Sequence, residues 1–216
     1  MKVILVGASG HLGTEIDKLL SPDHEIVGVG ASSGDVQCDY TDVGSVRAMF
    51  AQVGTFDALV CVVGRDSTFK PFGELADDDY RYGFERKFLS QLRLLTLGQE
   101  YVRDQGSFTL TSGFLSHYPN PSSIATGPLN SAVDTLASNV APLLPRGIRI
   151  NVVSPAPVVE LGQEGKGVVT AAQAASFYAE AVLGDMTGEV LRPWGGLPTP
   201  PSSDCGYHGS TLGTES

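Results

Sequence analysis

Gly7, Gly10 and Gly13 stand directly behind the apolar run Val3-Ile4-Leu5-Val6 and ahead of Thr14-Glu15-Ile16-Asp17-Lys18-Leu19-Leu20. Strand, glycine turn and helix N-terminus in that order make a pyrophosphate site. Glycine lets the backbone approach the phosphates, and the open N–H groups of the first helical turn supply donors and partial positive charge. Gly7, Ser9, Gly10, His11, Leu12 and Gly13 are therefore read as binding residues for a dinucleotide. The bland alternative is a tight turn that packs a helix on a strand and binds nothing.

Behind the expected second strand, Gly30-Ala31-Ser32-Ser33-Gly34 carries no Asp or Glu. An acid there binds the ribose 2′-hydroxyl and selects NAD. Its absence admits a 2′-phosphate, with Ser32, Ser33 and His11 as donors, although no Arg is present to clamp it. NADP is expected over NAD. His11, His24, His117 and His208 are scattered without ligand spacing, so no metal site is expected. Asp77-Asp78-Asp79 reads as a solvated helix N-terminus, where the helix dipole favours acids.

Elements that could position these residues alternate along the chain. Strands are expected near 2–7, 25–30, 36–38, 57–63, 106–112, 147–153 and 188–192, and helices near 11–20, 43–53, 77–104, 127–143 and 170–183. Parallel strands need crossover connections, so this alternation predicts one α/β domain, a doubly wound Rossmann sheet of about seven strands flanked by helices. From Gly195 the composition shifts to Gly-Gly-Leu-Pro-Thr-Pro-Pro-Ser-Ser, and residues 195–216 are expected to form a mobile tail or a surface strap whose start Trp194 pins.

The 216 residues suit one domain with a sizeable core. A net charge of −10 argues against nucleic acid or an anionic membrane as partner. The opening apolar run is too short for a signal peptide or a membrane span. Cys38, Cys61 and Cys205 have no metal spacing, and the first two lie in apolar strand contexts; buried free thiols and a reducing, cytoplasmic setting are expected.

Further segments resemble the short-chain dehydrogenase/reductase family, over residues 1 to about 194. Cys38-Asp39-Tyr40-Thr41-Asp42 is similar to that family's acidic adenine motif, Pro145 to Pro155 to the strand leading to the nicotinamide, and Thr187-Gly188-Glu189-Val190 to the turn into the last strand. The resemblance implies adenine near Asp39 and Tyr40. It also implies close approach of the cofactor to Val63, Gly64, Lys87, Pro155 and Val158, and a homodimer or homotetramer formed through the helices near 77–104 and 127–143, with Leu89, Leu92, Leu136 and Val140 as apolar positions. Glu160 stands where the family has Thr, and a carboxylate so near the pyrophosphate repels it unless turned outward.

The family's catalytic group is a Ser, a Tyr and a Lys four residues after the Tyr. Ser112, in Leu110-Thr111-Ser112-Gly113, matches the Ser. Counted back without a gap from Arg146-Gly147, the Lys position falls on Asn130 and the Tyr position on Thr126. A Thr hydroxyl is too weak an acid to replace a phenol, and Asn has no charge to tune it. Tyr118 offers a phenol upstream, without a Lys four residues on. Lys87 occupies the place of an Asn that organises a water chain in the family; it either reaches the ribose and the reacting centre or snorkels at the surface beside Glu85. With Leu110–Gly113 and Asn130-Ser131-Ala132-Val133, it resembles a smaller bacterial subgroup of that family.

Ser112, Lys87, Thr126 and Asn130 are thus the candidate catalytic residues. Two function classes stay open. One is an NADP(H)-dependent oxidoreductase that reduces a ketone or imine of a small molecule. The other is a non-redox protein of the same fold, either an isomerase or cyclase acting on a preorganised substrate or a dinucleotide sensor.

Overall fold

The structure, a computed structural model, describes residues 1–63, 68–163 and 165–199. In chain order the elements begin with β1 (Lys2–Val6), α1 (His11–Leu20), β2 (Glu25–Gly30), β3 (Val36–Gln37), α2 (Val43–Val53) and β4 (Phe56–Cys61). Next come α3 (Asp77–Gly83), a π-helical turn over Phe84–Leu89, and α4 (Ser90–Gly98). β5 (Val102–Thr111), α5 (Thr126–Val140), β6 (Arg149–Val153), β7 (Val158–Val159), β8 (Val169–Thr170), α6 (Ala171–Leu183) and β9 (Val190–Leu191) complete the order.

Seven strands form one sheet in the order β3-β2-β1-β4-β5-β6-β9. Every pairing is parallel, from Val3 opposite Ile26 and Ala58 to Val152 opposite Val190. Parallel sheets bury both faces, which is why these strands read as apolar runs rather than alternations. One face packs on α2, α4 and α5 through Met49, Phe50, Leu94 and Val133. The other packs on α1 and α6 through Ile16, Leu20 and Tyr178. Phe50 stacks on Phe56 and Tyr101 at 5.9 and 5.4 Å, and burying a ring of this size contributes roughly 1.5–3 kcal/mol.

The expected Rossmann domain is thus present, with three local differences. The helix expected over 77–104 ends at Gly98, because 102–105 already belong to β5, where Val102 pairs with Phe56. A Cβ on Gly98 would meet Phe108 and Phe50 at 2.9 and 3.0 Å, so the chain turns there against the core. The same helix is interrupted by the π turn. β7 and β8 form a separate two-stranded sheet that two-residue strands leave too faint to read from sequence.

The chain beyond Trp194 packs back on the domain as far as it is described. Trp194 is buried and its indole N–H donates to the Ser154 carbonyl at 2.8 Å. Leu197 joins the cluster of Phe114, Ala156 and Trp194, and Tyr118 donates to the Pro198 carbonyl at 2.6 Å. Residues 200–216, with Cys205 and His208, lie outside the described residues. Cys38 and Cys61 are buried and free, and burial pushes the Cys61 thiol up to about 12.

Candidate active site

The sheet order reverses at β1, whose neighbours are β2 and β4, and ligands of open α/β sheets bind at the carboxyl ends of strands at such a point. A cleft of about 580 Å³ opens there, within the usual range for a cofactor site. The glycine turn forms its floor: Gly7, Ser9, Gly10, His11, Leu12 and Gly13 all line it. Gly7 has φ 92°, and a Cβ on it would press on Val62 at 3.0 Å. A Cβ on Gly13 would lie 2.2 Å from the Gly7 carbonyl oxygen, an impossible approach against backbone. No acid sits in the first turn of α1 to offset its positive end. The cradle fits a dinucleotide's phosphates.

Ala31, Ser32 and Ser33 line the cleft beyond β2, where a 2′-phosphate or 2′-hydroxyl belongs, and Tyr40 stands beside them. Asp39 does not line it. Its carboxylate accepts from the Thr41 N–H at 2.9 Å and the Thr41 hydroxyl at 2.6 Å, and the Thr41 bonds hold its pKa below the usual carboxylate range. Val63, Pro155 and Val158 line the other end. Gly64 lies outside the described residues. Glu160 is turned outward, 77% exposed, 3.9 Å from the His11 Nδ1.

A second pocket of about 380 Å³ adjoins the cleft. Thr126 and Asn130 line it from α5, together with Phe69, Phe114, Leu115 and Asn120. Lys87, Ser112 and Pro155 line both cavities. The structure therefore brings all four candidate catalytic residues together, with Lys87 and Ser112 at the junction. Tyr118 lines neither cavity; it packs edge-on to Trp194.

Lys87 is only 6% exposed, which excludes a snorkelling surface lysine. It belongs to the π turn, and π bulges recur at functional sites because the extra residue breaks the regular ladder and re-aims side chains. Its ammonium donates to the Ser112 carbonyl oxygen at 3.1 Å. Burial lowers its pKa to about 8, against the fields of Cys61 and Asp134. The Ser112 hydroxyl, the Thr126 hydroxyl and the Asn130 Oδ1 are buried and without a hydrogen-bond partner among the described residues. Buried polar atoms in that condition are costly and point to a polar ligand that completes them.

Gln91 escaped the sequence reading. Fully buried on α4, its Nε2 donates to the Lys87 and Thr111 carbonyls, each at 2.9 Å, and its Oε1 accepts from the Thr111 N–H at 2.8 Å. One side chain thus holds the π turn and the end of β5 in register, and with them Lys87 and Ser112. The Thr111 hydroxyl donates to the Cys61 carbonyl at 2.6 Å, so the Tyr178 hydroxyl at 2.8 Å donates to it, tying α6 to the same strand ends. The i, i+4 spacing of Gln91 after Lys87 was the available signal; nothing in the sequence showed that both faced the sheet.

Known proteins agree with this geometry. A family profile described as enoyl-(acyl carrier protein) reductase matches residues 11–189. The crystal structure of the protein lin1944 from Listeria innocua superposes with a TM-score of 0.85 and 37% identity, covering 90% of this chain and 100% of that one. An uncharacterized oxidoreductase of Methylorubrum extorquens is 27% identical over 84% of this chain and 82% of its own length. A small-chain dehydrogenase solved in complex with NADPH shares the fold at a TM-score of 0.81 and 24% identity, over 91% of this chain and 97% of that one. Sheet order, glycine cradle, the serine at the end of β5 and these matches lead to one conclusion: the chain belongs to the short-chain dehydrogenase/reductase family of NAD(P)-dependent enzymes.

Proposed function

We propose that the protein is an NADP(H)-dependent reductase of a ketone or imine on a small molecule, with Lys87 and Ser112 as its polar catalytic pair. One observation carries this reading: both residues line the dinucleotide cleft and the adjoining pocket at once. A group at that junction touches what lies in either cavity. A bound reduced nicotinamide supplies hydride to the substrate carbon. The chain does the rest. Lys87, a cation at neutral pH, draws electron density toward the substrate oxygen or nitrogen, and the Ser112 hydroxyl donates to the charge that develops there. Thr126 and Asn130 offer unpaired polar atoms that orient the substrate.

The preference for NADP(H) rests on Ala31-Ser32-Ser33, which place no carboxylate at the 2′ position. Self-association through α4 and α5 fits the apolar side chains near the π turn, where Phe84 is 42% and Tyr82 46% exposed; light scattering at micromolar concentration gives a dimer or tetramer mass if this is right, and a monomer mass refutes it.

A non-redox use of the pocket is favoured by one observation, the absence of a phenol and amine pair at Thr126 and Asn130. A single experiment separates the two. The protein is titrated with NADPH and NADH, then incubated with NADPH and a panel of small ketones, aldehydes and imines. Oxidation of NADPH matched to product formation supports the reductase. Product formed without NADPH oxidation, or no NADPH binding at millimolar concentration, overturns it.

A further inference from the structure

Asn130 and Asp134 are four residues apart on α5 and so share a face of the helix. They open onto different cavities. Asn130 lines the pocket at Lys87, whereas Asp134 lines a separate cavity of about 410 Å³ with Ser116, His117, Glu189 and Arg192. Both carboxylate oxygens of Asp134 are buried and without a hydrogen-bond partner among the described residues, as is the Ser112 hydroxyl on the substrate side. The Ser112 and Ser116 hydroxyls lie close enough to favour the ionised carboxylate, yet short of hydrogen-bond geometry. A hydrogen bond between the Ser112 hydroxyl and the Asp134 carboxylate would satisfy both groups.

An unpaired acid in that position is destabilising, and a well-packed apolar residue there would cost nothing comparable. Such groups concentrate where chemistry needs them. The charges that face Asp134 come from every element around it: Lys87 from the π turn, Arg192 beyond β9, His117 beyond β5 and Glu189 ahead of β9. Lys87 and Arg192 favour the anion; burial opposes them and prevails, pushing the carboxyl up to about 6. Burial and Arg192 hold the His117 imidazole below its usual range, so His117 adds little positive charge to the cavity at neutral pH.

We propose that Asp134 is the proton store for the Ser112 hydroxyl, refilled from solvent through the cavity of Ser116, His117 and Arg192. The proposal rests on the reductase reading. As hydride from a reduced nicotinamide reaches a carbonyl carbon, the π pair moves to the oxygen. That oxygen takes the proton of the Ser112 Oγ, whose O–H bond breaks. Ser112 takes the proton of the Asp134 carboxyl, and the carboxylate regains one from solvent. Each alcohol formed consumes one hydride and one solvent proton. Asp134 meets the substrate only through Ser112, so it is a positioning and proton-supplying residue.

The test uses the full chain with two readouts. The first needs no turnover: carbon NMR of aspartate labelled at the carboxyl carbon, followed from pH 4 to 9. One carboxyl should titrate well above the others, vanish in Asp134→Asn, and move further upward in Ser112→Ala, which removes a hydroxyl that favours the anion. The second is the pH profile of NADPH oxidation with a turned-over carbonyl. Asp134→Asn should lower kcat about 10- to 100-fold with KM little changed and should remove the ionisation near pH 6 from the profile, while Asp134→Glu regains part of both. A high-titrating carboxyl unmoved in Ser112→Ala, or a wild-type kcat and profile in Asp134→Asn, overturns the proposal. Should the wild type oxidise NADPH with no carbonyl or imine, the reductase reading falls, and the NMR readout still decides whether Asp134 and Ser112 are coupled.

Discussion

Lys87 Nζ lies 3.1 Å from the carbonyl oxygen of Ser112, a bond that joins the π turn to the end of β5. It brings a buried cation to the residue whose hydroxyl has no hydrogen-bond partner among the described residues, where the cofactor cleft meets the neighbouring pocket. Thr126 and Asn130 line the neighbouring pocket from α5, so the one buried lysine among the four candidate residues comes from the π turn.

Two titratable groups beside the cavities, Lys87 and Asp134, leave opposite marks on stability. Lys87 has a pKa lowered to about 8, so the unfolded chain binds more protons between there and the ordinary lysine value, and stability gained from this group rises with pH across that window. Asp134 has a pKa raised to about 6, so the folded chain binds the proton more tightly, and stability is lost as pH rises from the ordinary aspartate value through 6. Both are charged at a cost between about 6 and 8. Lys87→Met and Asp134→Asn should each raise stability at pH 7, on the order of 2 kcal/mol, while lowering turnover. Urea unfolding at pH 5, 7 and 9 checks it; a destabilised Lys87→Met protein at pH 7 contradicts it.

Gln91→Leu should release both the π turn and the end of β5. It removes the side-chain donor to the Lys87 and Thr111 carbonyls and the acceptor for the Thr111 N–H in the core, which costs about 2–4 kcal/mol. Activity should fall by more than stability explains, because Lys87 and Ser112 lose their register. Thermal unfolding and kcat measured on the same preparation decide it, and a variant with the wild-type kcat counts against the clamp.

Gly13→Ala should abolish dinucleotide binding, since its methyl group meets the Gly7 carbonyl and the Ala8 backbone at 2.2 and 2.9 Å and neither can withdraw. Calorimetry with NADPH reads the loss. Retained affinity in a folded Gly13→Ala protein would show that the cradle is not where phosphates sit.

Ala31→Asp should reverse cofactor preference by setting a carboxylate where a 2′-phosphate belongs, a change of about 1–3 kcal/mol or roughly 5- to 150-fold in relative affinity. Glu160→Gln should tighten binding a few-fold at low salt, less at high salt, since Glu160 is exposed at the cleft's mouth. Equal affinities of the wild type for NADPH and NADH contradict the first expectation, and salt-independent binding of Glu160→Gln relative to wild type contradicts the second.

Where pattern repeats or a glycine is sterically forced, the sequence was readable. The seven strands, the crossover helices and the cradle from Gly7 to Gly13 all follow from apolar runs and backbone geometry, and the matched serine, Ser112, from its place after β5. The π turn at Phe84–Leu89 was not readable, because it adds one residue to a helical ladder without changing the composition that announces a helix. Gln91 and Asp134 were missed for a related reason: each lies on a helix face that a periodicity reading assigns to packing or solvent, and only the tertiary fold shows which polar side chain the sheet or a cavity receives. Asp39, by contrast, looked like a binding residue by motif, and its local turn with Thr41 occupies its carboxylate.

Lys87 and Ser112 at the cavity junction carry the proposed chemistry, and single-turnover oxidation of NADPH by stoichiometric enzyme and a carbonyl substrate tests that role most directly. Lys87→Met should slow that step by about 100-fold or more, and Ser112→Ala should raise its barrier by about 2–4 kcal/mol. Lys87→Met at the wild-type rate, with Thr126→Ala or Tyr118→Phe abolishing the step, would contradict the assignment of the catalytic pair.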